Sequence, residues 1–349
     1  MSRVLIIATS RKTRGGITAV IKAHETGEQW KKYHCHWVQT HRDGSALCKL
    51  FYLVRGFVDF LFRVPFYDIV HIHISQPTTI RRKRPFLKIA KMLGKKVIVH
   101  FHAFNVEDTI AGIFADNYAK FLHDADLILV LSNWWKEQLV SSLSIPLDKI
   151  RILYNPCPKV NLRIDRRTDS ILYAGTVNER KGYQDLIKAF AMIADKHPSW
   201  SLNIAGNGEI DQGKNLVKVL KIENQVNFLG WINGESKETA FHKAAIFCLP
   251  SYAEGFPMAV LDAWAYALPV ITTPVGGIPD IAIDGKNMLI FNPGDIKSLS
   301  LKLEQLIDDH DLRDKISVAS IDFATKEFNQ ETINHKLETI YDNLLNYND

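Results

Sequence analysis

The chain twice runs through short apolar segments separated by longer stretches of helical periodicity. The first series is "RVLIIAT", "YHCHWVQ", "IVHIHIS", "KVIVHFH", "LILVLS" and "IRILYN". The second is "SILYAG", "SLNIAG", "VNFLG", "IFCLPS", "PVITT" and "MLIFN". An apolar run this short reads as a strand buried on both faces, and a helix in each gap supplies the crossover that parallel neighbours require. The pattern predicts an α/β chain with two doubly wound parallel-sheet domains in tandem. The segment "PKVNLRIDRRTD" (Pro158 to Asp169) between the series has the proline and charge content of a linker. It sets domains at 1–163 and 164–325, and the helical spacing of "FNQETINHKLETIYDNLLNYN" makes the remainder, 326–349, a closing helix. A length of 349 residues suits two domains.

Composition narrows the class. Hydrophobic residues make up 46% of the chain and no low-complexity tract interrupts it, so all of it is expected to fold. Cys35, Cys48, Cys157 and Cys248 form no CxxC pair, which disfavours zinc sites and disulfide frameworks and points to a reducing, cytoplasmic setting. No signal peptide precedes the first strand. The longest apolar stretch, Leu50 to Val64, is broken by Arg55, Asp59 and Arg63 and is too short to span a bilayer, though it could lie on one. Charge is uneven: residues 1–165 carry 25 Lys and Arg against 13 Asp and Glu, a net +12, and the rest carry 18 against 25, a net −7. A basic half can hold an anionic partner through its summed field. With the cluster "RRKR" (Arg81 to Arg84), it predicts a peripheral position on an anionic membrane surface. Nucleic acid is not an expected partner.

Open parallel sheets bind ligands beyond the carboxyl ends of their strands, and two such domains facing each other would make a central cleft. The informative residues follow strands. In "TSRKTRGGITAV", Gly15 and Gly16 strip side chains from a strand-to-helix turn, letting helix amides approach a phosphate or sugar oxygen. In "VIVHFHAFN", His100 and His102 share a face, with His102 at the strand end; no acid or cysteine cluster completes a metal ligand set, and no metal is expected. "YAGTVNERKGYQDLIKAF" places Arg180 and Lys181 before a helix, where cations and amides together can neutralise a diphosphate. Asn207 lies in the strand–turn "NIAGNGE", and Trp231 and Ile232 in "VNFLGWI", where backbone could read a planar base over the indole.

The most informative stretch is "EGFPMAVLDAWAYALPVITTPVGG" (Glu254 to Gly277). Pro257 suits the first turn of a helix, which leaves Glu254, Gly255 and Phe256 in the preceding loop and Asp262 about two turns on. Buried carboxylates are costly without partners, so the two acids face either solvent or a ligand. Facing a nucleotide sugar, they would accept hydrogen bonds from hydroxyls of the hexose and the ribose.

Taken in order, "RGG", "HFH", "NERKG", "AGNGE", "FLGWI", "PSYAEGFP" and "VGGIPD" resemble the retaining glycosyltransferases of family 4 over essentially the whole chain. The resemblance implies the GT-B fold, with a Rossmann-like acceptor domain, a Rossmann-like nucleotide-sugar domain and a last helix returning to the first. It implies that Gly16 lies near the donor phosphates or acceptor, that His102 faces the transferred sugar, and that Lys181 with Arg180 holds the diphosphate. Glu254 and the backbone after it would hold that sugar. The family usually has glutamate where Asp262 stands and often arginine where Thr176 stands, so the ribose contact has a shorter arm and neutralisation leans on Lys181 and Arg180. The implied reaction takes a hexose-type sugar from a UDP-sugar to a glycan or lipid-linked glycan acceptor in bacterial surface-polysaccharide synthesis. It needs no cofactor beyond the donor and no metal, since no Asp-x-Asp follows a strand. An epimerase or phosphorylase on the same fold, or a non-catalytic nucleotide-sugar-binding protein, are the alternatives.

Overall fold

The computed structural model describes residues 2–162 and 167–346. It divides into two compact units, Met1–Pro156 with Gln330–Asp349, and Cys157–Asn329. The boundary expected at 163/164, in the linker, lies outside the described residues.

All twelve apolar runs are strands. In the first unit β1 (Val4–Ala8), β2 (His36–Gln39), β3 (Ile69–Ile74), β4 (Lys96–Phe101), β5 (Leu127–Val130) and β6 (Ile150–Ile152) pair in parallel in the order β2-β1-β3-β4-β5-β6. Its helices are α1 (Gly16–Glu25), α2 (Glu28–Lys32), α3 (Ala46–Arg63), α4 (Pro77–Met92), α5 (Ala115–His123) and α6 (Asn133–Leu143). In the second unit β7 (Ser170–Ala174), β8 (Ser201–Ala205), β9 (Val226–Gly230), β10 (Ile246–Leu249), β11 (Val270–Thr272) and β12 (Leu289–Ile290) run in the order β12-β11-β10-β7-β8-β9, also parallel. Between and after them lie α7 (Tyr183–Ala191), α8 (Ile210–Val219), α9 (Gly234–Lys243), α10 (Met258–Ala265), α11 (Ile296–Asp308) and α12 (His310–Lys326). The last helix, α13 (Gln330–Asn346), belongs to the first unit.

Central strands such as "VLIIA" and "IFCL" are apolar throughout because both faces are covered. In the first unit alternation sends Leu5, Ile7, Val70, Ile72, Val97 and Val99 toward a core completed by Phe60, Phe86, Phe121 and Trp135. Val4, Ile6, Ile69 and Ile98 point the other way, toward Ile21, Tyr33, Trp37 and the α13 residues Ile333, Leu337 and Tyr341. His71, His73, His100 and His102 have the same parity as this second set, so four histidines occupy core positions beneath α1, α2 and α13.

Two surface features change the reading of the basic half. The "RRKR" cluster is not evenly exposed: it forms part of α4, Arg81 faces solvent, and Lys83 is 1% exposed, its ammonium donating to the carbonyls of Ile7 (3.3 Å) and His73. Arg84 is spent on the Asn117 carbonyl at 3.1 Å. Helix α3, by contrast, is apolar on two sides. Gly56 and Phe60 face the domain, while Leu47, Leu50, Phe51, Val54, Val58, Leu61 and Phe62 are exposed at helical spacing, Leu47 by 79% and Phe62 by 77%. No helix among the described residues is long and apolar enough to cross a membrane.

Candidate active site

In the second unit β7 has β8 on one side and β10 on the other, so the chain reverses its winding between β7 and β10. Ligands of open α/β sheets bind at such a switch point. Past β7 the chain makes a tight turn, Glu179–Lys181, in which Asn178 Oδ1 accepts from the Lys181 amide at 3.1 Å, before α7 begins. Gly182 has φ +69°, and a Cβ there would collide with the Pro250 carbonyl. Only glycine lets this turn lie against the chain leaving β10.

That contact brings Lys181 to the loop after β10, where its ammonium pairs with Glu254 Oε1. Ser251 Oγ donates to the same oxygen at 2.7 Å, and the Arg180 guanidinium stands 3.7 Å from Oε2 while donating to the Ala253 carbonyl at 2.6 Å. The Glu254 side chain is only 8% exposed. A carboxylate so buried is tolerable because two cations and a hydroxyl surround it. The glycine pair of "VGGIPD" closes over the loop: the Gly277 amide donates to the Gly255 carbonyl at 2.8 Å, and Gly276 (φ +60°) leaves no room for a Cβ beside the Glu254 carbonyl. The result is a dry, cation-rich corner at the start of α7, with Phe256 and Pro257 buried beside it.

Asp262 stands apart from this cluster. It lies on α10 and pairs at 2.7 Å with Lys237 of α9; burial raises its carboxyl above the usual range, and the ammonium opposes that shift. Neither Glu254 nor Asp262 therefore chooses between solvent and ligand, because each already has a lysine. Pro257 also sits one step earlier than expected, as the extended residue capping α10 at Met258. Asn207 is exposed beyond β8, its carbonyl accepting from the Val177 amide at 2.9 Å. Trp231 is 42% exposed beyond β9, and Ile232 is half-buried.

In the first unit Gly15 and Gly16 are exposed at the start of α1. Gly15 (φ 139°) has nothing near where a Cβ would be, so the first amides of α1 are open to an approaching group. His102 follows β4, its amide donating to the Ile74 carbonyl at 2.8 Å. Its ring is 9% exposed, and Nε2 lies 2.9 Å from His73 Nδ1. Burial pushes the His102 imidazole down to about 3, with the Lys83 charge adding to the effect. Ring atoms of His71, His73 and His100 approach within 4.8 Å of one another, but the rings stack at 15° to 34°.

Two family models divide the chain almost end to end: "Glycosyltransferase Family 4" matches residues 23–158 and "Glycosyl transferases group 1" residues 159–322. The chain belongs to the family 4 glycosyltransferases. An uncharacterized glycosyltransferase of Haemophilus influenzae is 32% identical over 181 residues, half of each chain. The capsular polysaccharide biosynthesis glycosyltransferase CapM of Staphylococcus aureus is 26% identical over 62% of this chain and 59% of its own. The matches thus span half to three-fifths of these relatives' lengths. Anabaena Alr3699/HepE in complex with UDP-glucose superposes with a TM-score of 0.79, covering 98% of this chain and all of that one at 15% identity, which shows the shared GT-B fold.

Within this family 4 chain, sequence reasoning named Arg180, Lys181, Glu254 and Gly255, which the fold gathers in one corner. It missed Ser251, whose only signal was its place three residues before Glu254. Lys237 and His73 carried no local signal, because each meets its partner across strands or helices, and Lys83 was visible only as part of the basic run "RRKR".

Proposed function

We propose that this family 4 chain transfers a hexose-type sugar from a UDP-sugar to a lipid-linked glycan acceptor, with retention at the anomeric carbon, in bacterial surface-polysaccharide assembly. The observation that carries this reading is the Lys181–Arg180–Glu254 corner at the β7/β10 switch point. It has two cations and the first amides of α7 for a departing diphosphate, and a carboxylate beside them for sugar hydroxyls. Charge stabilisation by lysine and arginine makes a divalent metal unnecessary. Asp262 serves the ribose, Trp231 and Ile232 the base, Asn207 and the Gly255–Pro257 backbone the sugar and phosphates, and Gly15 and Gly16 the phosphates or acceptor; His102 faces the transferred sugar. Relatives support the donor and the process: solved structures of HepE carry UDP and UDP-glucose, and CapM is named for capsular polysaccharide biosynthesis. The test is a panel of nucleotide sugars read by thermal shift, then transfer with chelator present and the product anomer read by NMR. Turnover of donor without an acceptor, or of glycan with phosphate, would favour an epimerase or phosphorylase. Donor binding with no turnover under any condition would favour a binding protein.

The acceptor's lipid anchor implies a peripheral position at the inner membrane face, and α3 supports it. Its exposed stripe is flanked by the exposed cations Lys49 and Arg55, so apolar burial and attraction to anionic headgroups would act together. A second copy is a poorer cover, since an antiparallel pair of α3 helices would set the central Arg55 residues against each other. The protein should float with anionic liposomes, less so at high salt. The variant Leu50→Ser, Phe51→Ser, Leu61→Ser, Phe62→Ser should stay in the soluble fraction. A wild-type protein that ignores anionic liposomes at low salt and glycosylates a soluble acceptor equally well would refute the membrane position.

A further inference from the structure

β3 and β4 run in register, with His73 opposite His100 and Ile74 opposite Phe101, so one residue past β4 His102 comes beside His73. The His73 and His102 rings stack at 5.1 Å between centroids and share the Nδ1···Nε2 contact of 2.9 Å. Between two neutral imidazoles such a contact needs one proton: one nitrogen donates and the other accepts, so the tautomers of the two rings are tied together. His73 itself has no freedom to turn away. It is 1% exposed, stacks on His71 at 4.6 Å, and its carbonyl accepts from Lys83, which also holds the Ile7 carbonyl of β1. Among the described residues His102 Nδ1 has no hydrogen-bond partner, so it is the ring nitrogen left for a substrate.

We propose that His73 is a positioning residue for the transfer: by engaging His102 Nε2 it holds that ring in one orientation and one tautomer, with Nδ1 kept for a hydroxyl of the transferred sugar. The inference rests on the role proposed above for His102. A histidine whose buried partner sets its tautomer depends on that partner for rate more than for binding. The tests are kinetics and NMR on the full chain. His73→Ala should lower kcat by about 10- to 100-fold, no more than the lower end of what losing a positioned catalytic group outright costs, with the donor KM within about threefold. His73→Asn, which returns a polar atom near the Nδ1 position, should recover much of the rate. Long-range 15N–1H spectra of histidine-labelled protein should show a single His102 tautomer in the wild type and a mixture in His73→Ala. An unchanged kcat in His73→Ala, where His102→Ala is strongly impaired, would overturn the inference, as would an unchanged His102 tautomer. If His102→Ala is itself fully active, the role of His102 falls first, and the spectra then report on the hold of His73 over the ring independently.

Discussion

Lys181→Ala is expected to reduce kcat by about 10²- to 10³-fold, the loss seen when one preorganised charge-stabilising group is removed from a dry site. In the free protein Lys181 holds Glu254, and in the reaction its ammonium would meet the diphosphate as negative charge develops on the leaving oxygen. The contribution is therefore larger in the transition state than in the ground state, and the effect falls on kcat. The substitution also leaves Glu254 with only Ser251 and Arg180, so a drop in melting temperature should accompany the kinetic loss. Asp262→Asn provides the contrast. The ribose does not change charge during transfer, so this variant should raise the donor KM by about tenfold, the scale of weakening one hydrogen bond, with kcat nearly unchanged. Steady-state kinetics on both variants settle the assignment. A normal rate for Lys181→Ala would place the diphosphate elsewhere.

The second large effect is on stability in acid. Burial lowers the imidazoles of His24, His71, His73, His100 and His102, His24 to about 4 and His102 to about 3, from 6.5 in an unfolded chain. Their neighbours offset little of this, the Asn334 hydrogen bond to His24 being the one that opposes it. Lys83 lies by His73 and His102, the histidines repel one another when charged, Asn334 and Tyr341 offer only neutral hydrogen bonds, and among the described residues no carboxylate pairs with the cluster. The sign follows directly. Above pH 6.5 the rings are neutral in both states and folding does not depend on pH through them. Between pH 6.5 and about 4 the unfolded chain binds protons that the folded chain refuses, so stability falls with pH. Each histidine adds up to about 1.4 kcal/mol per pH unit, and together they can remove several kcal/mol between pH 6.5 and 5. All five sit in the first unit, so hydrogen exchange at pH 5 should show β1, β3, β4 and α13 opening before the second unit. His100, with both ring nitrogens buried and, among the described residues, unbonded, is the cleanest probe: His100→Phe should reduce the acid dependence by about one proton. A urea midpoint that stays flat from pH 7.5 to 5 would contradict the account.

The order and type of the elements were legible in the sequence because they depend on local patterning. An apolar run such as "VLIIA" can be satisfied only with both faces covered, and a helical segment in each gap allows only parallel neighbours. The cations at Arg180 and Lys181 were visible as a candidate anion site. Their convergence on Glu254 was not visible. It depends on β7 lying beside β10, which puts Lys181 and Glu254, 73 positions apart, within ion-pairing distance. Charge alone misled at Lys83 of "RRKR": the run reads as a basic patch, yet the α4 surface that packs on the sheet takes Lys83 inward, where carbonyls near the ends of β1 and β3 accept hydrogen bonds from its ammonium. For the histidines the alternation in "VIVHFH" showed that His100 and His102 share a face. Only the pairing register of β3 with β4 brought His73 against His102, because a strand's sequence specifies its faces but not which neighbour it will meet.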